Sequence, residues 1–207
     1  MKHFLRAGLL AAVLATACAS AQAANVSFSG NLAGDNAVQL FTFTLAANAN
    51  VALRTWSYAG GTNAAGSLIG AGGFDTIVSL FSGLGNAAVL IGDNDDGLGV
   101  AIDPATGDAF DSLLDLSPLL AGTYTVALTQ FANFANGPTL GDGFLGAGNP
   151  GFDGRSSAWA LDILGVSSAA VVPEPATLAL VMLGLVAAAS VRRARLLGCE
   201  PPQTAEA

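Results

Sequence analysis

Between Ala24 and Val172 apolar residues recur at every second position in run after run, and no stretch keeps a helical period for three turns. Such a pattern commits the chain to strands, because successive side chains of a strand point to opposite faces. In Val38–Leu45, Phe41, Phe43 and Leu45 share one face and Thr42 and Thr44 the other. Thr123–Thr129 repeats the device after the turn Ala121-Gly122, with Tyr124, Val126 and Leu128 inward and Thr123, Thr125 and Thr129 outward. Trp159, Leu161 and Ile163 alternate with Ala160 and Asp162, and Val51–Tyr58, Ile77–Phe81 and Ala87–Ile91 are further strand candidates. Gly60-Gly61, Gly72-Gly73, Asp96-Gly97 and Asn149-Pro150-Gly151 supply turns between them. Helical spacing occurs only in Phe110–Leu120, where Pro118 limits a helix to about one turn. The pattern predicts an all-β fold over residues 24–170: a single antiparallel β-sandwich or barrel. Gly137–Gly154 is glycine-rich, but Phe144 and Phe152 within it predict a loop folded back on the sandwich rather than a linker.

The same segment sets 12 Asp against Arg54 and Arg155, a formal charge of about -10, and contains no Lys, His, Glu or Cys. Ser-His-Asp or Cys-His nucleophiles, His or Cys zinc sites, Lys Schiff bases and P-loops all need side chains it lacks. Nucleic acid is excluded as a partner, since a phosphate backbone needs Lys and Arg to release its counterions. Carboxylate chemistry remains. Gly92-Asp93-Asn94-Asp95-Asp96-Gly97 crowds three carboxylates into four residues, a hard-oxygen set suited to Ca²⁺. The expected site is structural calcium held by Asp93, Asp95 and Asp96, with Asp75 or Asp111 completing it; the alternative is a solvated acidic turn. It is not an EF-hand, because placing Gly97 at the sixth loop position puts Gly92 first and Asp103 last. Paired carboxylates about 5–9.5 Å apart could also hydrolyse a glycoside. With no Glu and few spare aromatics, the domain reads as non-catalytic, and a secreted Asp-dependent glycosidase is the alternative. Trp56, Tyr58 and Trp159 form either a carbohydrate surface or core, core being the expected use. Arg54 and Arg155 are each expected to pair with an Asp.

The two ends carry addresses. Lys2 and Arg6 precede the apolar run Ala7–Ala17, and Ala21 and Ala23 are the small residues that signal peptidase accepts before Ala24. Residues 1–23 therefore read as a secretory signal peptide, its apolar run too short to span about 30 Å of hydrocarbon. Cys18 follows a poor lipobox, Ala15-Thr16-Ala17, which is the basis of a lipoprotein alternative. At the other end Val172-Pro173-Glu174-Pro175 precedes the apolar Ala176–Val191 and then Arg192-Arg193-Ala194-Arg195. Sixteen residues make a helix of about 24 Å, workable as a span with bilayer thinning. The arginines would hold its end in the cytoplasm, leaving residues 196–207 as a short cytoplasmic tail.

This ordered tail, residues 171–195, resembles the PEP-CTERM sorting signal of Gram-negative bacteria. The resemblance implies a transmembrane sorting helix, a transient stay in the inner membrane, and removal of the tail by exosortase. It also implies delivery to the cell surface or an extracellular polysaccharide matrix. Tails of that family usually stop soon after the basic cluster, whereas Leu196–Ala207 follow here, which leaves open a permanently membrane-anchored binding module. Phe41-Thr42-Phe43, Phe74-Asp75 before Val78–Phe81, Asp93-Asn94-Asp95-Asp96 and Ala121-Gly122-Thr123-Tyr124 together resemble the bacterial pre-peptidase C-terminal domain, over Gly30–Val166. That resemblance implies a jelly-roll-like, non-catalytic module that aids secretion or binds polymer surfaces. The combined expectation is an exported surface or matrix protein associated with exopolysaccharide or biofilm.

Overall fold

A computed structural model describes residues 23–172; the expected signal peptide through Gln22 and the sorting segment from Pro173 onward lie outside the described residues. In chain order the strands are β1 (Ala24–Asn31), β2 (Gln39–Leu45), β3 (Ala49–Thr55), β4 (Gly61–Thr62), β5 (Leu68–Ile69) and β6 (Thr76–Ser82). They continue as β7 (Val89–Asn94), β8 (Leu113–Leu119), β9 (Gly122–Gln130), β10 (Ala158–Val166) and β11 (Ser168–Val171). One sheet has the order β1-β10-β3-β8, the other β11-β2-β9-β6-β7, and β4-β5 form a small hairpin. All the pairings are antiparallel. Among the described residues there is no α-helix, as the period-two pattern requires.

The two large sheets bury their facing sides against each other. Phe41, Phe43, Val78, Leu80, Val126 and Leu128 from one sheet meet Val51, Leu53, Leu161 and Ile163 from the other in a single core. Each such side chain contributes about 1.5–3 kcal/mol relative to an exposed one. Aromatic pairs lock the layer: Phe41 meets Trp159 edge-on at 5.5 Å, and Phe43 stacks on Tyr124 at 5.1 Å.

The alternation correctly assigns inner faces and misassigns outer ones. Thr125 and Thr129 of β9 are buried, as are Ala160 and Asp162 of β10. The cause on β9 is the segment after it, which doubles back so that Phe144 meets Phe81 at 6.4 Å and Ala135 and Leu140 pack over Ala127. Gly137–Gly154 is thus a covering loop, as Phe144 and Phe152 predict, and the threonines beneath it bond locally: Thr129 Oγ1 donates to Asn133 O at 2.8 Å. On the opposite face, Asp162 is capped by the turn before β5, accepting from Ala64 N–H at 2.9 Å and Trp56 Nε1–H at 2.7 Å.

Phe110–Leu120 is no helix. It contains β8, an edge strand on β3 with Leu114 and Leu116 packed against the core. Pro118 is tolerated because an edge strand need not donate every backbone N–H to the ladder. β1 and β11, unanticipated in the sequence, flank the two sheets.

Candidate functional site

One end of the sandwich gathers the start of β6 and the ends of β7 and β9, since Val78 pairs with Asn94 and Thr76 with Gln130. Fully buried Phe74 anchors the chain just before β6, and Asp75 follows it with its carbonyl accepting Phe131 N–H at 3.1 Å. The acidic loop leaving β7 is stitched to the chain leading into β8. Asn94 Oδ1 accepts Leu113 N–H at 2.7 Å, Asp95 O accepts Ser112 Oγ–H at 3.0 Å, and Gly97 N–H donates to Asp111 O at 2.9 Å. Gly97 is required here, because a Cβ would lie 2.6 Å from Leu113 Cβ. These constraints bring together Asp75, Asp95 and Asp96, one carboxylate oxygen of each lying within 4.8 Å of the others. At that separation and an effective dielectric of about 20, each ionised pair repels by roughly 3 kcal/mol.

The electrostatic consequence is plain. Burial first, then the charges of Asp95, Asp96, Asp111 and Asp153, pushes the Asp75 carboxyl up to about 8. Burial, then Asp96 and Asp93, raises Asp95 to about 6, and burial raises Asp96 as well. Asp75 Oδ1, Asp95 Oδ1 and Gln130 Oε1 are shielded from solvent without a hydrogen-bond partner. Gln130 follows Tyr124, Val126 and Leu128 in the inward register of β9 and is 1% exposed. A polar residue closing an apolar alternation was the available sign of it. Asp75 and Gln130 line one cavity of about 240 Å³, together with Tyr58, Phe152, Asp153 and Arg155.

Two of the five carboxylates singled out in the sequence stand apart from this group. Asp93 is exposed on β7, opposite Ser79. Asp111 is buried and already engaged: its Oδ1 accepts Ser57 N–H at 2.6 Å, Tyr58 N–H at 3.2 Å and Thr55 Oγ1–H at 3.1 Å, and its Oδ2 accepts Ala59 N–H at 2.9 Å. It holds the 57–59 segment, whose Tyr58 lines the cavity. Arg155 pairs with Asp103 at 2.6 Å, as expected, and its guanidinium lies 3.6 Å from the centre of the Tyr58 ring. That ion pair, through its hydrogen bond above all, holds the Asp103 carboxyl below the usual range. Arg54 does not pair with an Asp among the described residues; it lies over the Trp56 ring at 3.9 Å. Tyr58 and Trp159 are buried, so neither offers a free sugar-stacking face.

The PEP-CTERM protein-sorting motif matches residues 171–194. No curated protein matches the chain significantly. The matched segment begins within β11, at Val171. Such a motif indicates an exported protein that passes through a membrane-anchored intermediate and is processed by exosortase.

Proposed function

We propose that this protein is a non-catalytic, exosortase-processed module of the cell surface or extracellular matrix of a Gram-negative bacterium, associated with exopolysaccharide or another surface polymer. The observation that supports it is the junction: β11 runs directly into the sorting motif, and Val172 N–H still donates to Leu40 O at 2.9 Å. Removal of the chain beyond Val172 would spare every strand described above. The body in front of the motif contains no His, Cys or Lys, so it carries neither a His-activated Ser or Cys nucleophile nor a His or Cys metal centre, which suits a binding or structural role.

A second reading, an Asp-dependent glycosidase, draws on the high Asp75 carboxyl beside Asp153 in one cavity. Incubation of the purified protein with the producer's own polysaccharide separates the two. Co-sedimentation without release of reducing ends is the expected result. Turnover that disappears in Asp75→Asn would establish the enzyme, and absence of both binding and turnover would refute association with that polymer.

A further inference from the structure

We propose that Asp75, Asp95 and Asp96, with the side-chain oxygen of Gln130, form a site for one divalent cation of the calcium type where β6, β7 and β9 meet. Three carboxylates within 4.8 Å would not by themselves make a site. Gln130 is the independent sign: a 1% exposed side chain whose Oε1 has no partner, lining the same cavity as Asp75. Its Nε2–H is used, donating to Asn149 O at 2.9 Å, so the amide is fixed with its oxygen left over. The unmatched atoms contributed by these residues, Asp75 Oδ1, Asp95 Oδ1 and Gln130 Oε1, are all acceptors. What they lack is positive charge, and the neighbouring arginine makes no bond to them. Arg155 lines the same cavity, but its Nε donates to Gly73 O and its Nη2 to Tyr58 O and Asp103, and none of the three unmatched oxygens receives a hydrogen bond from it.

The donor set consists of hard oxygens from three separate elements. Ca²⁺ accepts six to eight such ligands in irregular geometry, whereas Mg²⁺ demands a tight octahedron and gives up water reluctantly. The site differs from a calcium loop built on Asp93 or Asp111, since the first is exposed and lies outside the 4.8 Å group and the second is already bonded by three backbone amides. It stands or falls independently of tail processing. A cation there would pin three strand ends together and firm up one wall of the cavity, as affinities of about 10⁻⁴ to 10⁻³ M on extracellular modules allow.

The test is calorimetric titration of the chelator-stripped full-length chain with CaCl₂, with MgCl₂, and with NaCl matched for ionic strength, accompanied by thermal unfolding. The expected result is one Ca²⁺ per chain, weaker Mg²⁺ binding, no effect of sodium, and a higher Tm in calcium. Asp75→Asn and Asp96→Asn should each weaken Ca²⁺ by about tenfold or more, while Asp93→Asn leaves affinity within about twofold. Asp96 is exposed, so its variant keeps the test decisive if Asp75→Asn fails to fold. Absence of calcium heat, an equal response to sodium, or equal losses in Asp93→Asn and Asp96→Asn would overturn the proposal.

Discussion

Asp75 and Asp111 show how two identical side chains at one end of the sandwich acquire opposite characters. Asp111 receives three backbone amides and a hydroxyl, while Asp75 Oδ1 is shielded and receives nothing. The sequence discloses the crowding of Asp93, Asp95 and Asp96 but not this division, because the Asp111 partners lie 52 to 56 residues away. The pH consequence follows from Asp75 and Asp95, held up at about 8 and about 6 in the folded chain against 3.8 ordinarily. A carboxyl raised on folding keeps its proton longer in the native state. Its contribution to stability is complete below the unfolded value and is lost as pH rises through the folded one. In chelator, Tm should therefore fall between about pH 5 and pH 8, and millimolar calcium should recover most of the loss at the alkaline end. A chelated protein whose Tm is flat or rises across that range would contradict the burial of these groups.

At the scale of elements, period two identifies the facing sides of β2, β3, β9 and β10 because those residues meet only one environment, the shared core. It fails where a strand has a second cover. Thr125 and Thr129 look solvent-facing in TYTVALT, yet the loop carrying Phe144 lies over that side of the sheet. It fails also for β8, where Phe110, Leu113 and Leu114 mimic one helical turn and Pro118 sits on an edge. The outer layer is a second, smaller core centred on Phe81, which is fully buried. Phe81→Ala should cost about 3–5 kcal/mol in urea unfolding, because it leaves a cavity between sheet and loop. A loss below about 1 kcal/mol would mean that the loop does not pack on the sheet.

Taken as a whole molecule, the chain joins a body carrying 12 Asp and two Arg to a tail with a sorting motif. The motif was legible because its order of Pro-Glu-Pro, apolar run and arginines is local in sequence. The cavity was not, since it draws Tyr58, Asp75, Gln130 and Asp153 from distant segments. Because the match begins at Val171, inside the last strand, the processed domain would remain complete. Intact mass of the protein recovered from surface and matrix fractions, with and without exosortase, tests processing most directly. With exosortase, the mass should correspond to a chain that has lost Ala176–Ala207, and without it the tail should persist in the membrane fraction. A surface protein that still carries Ala176–Arg195 in the presence of exosortase would contradict processing and leave a permanent anchor.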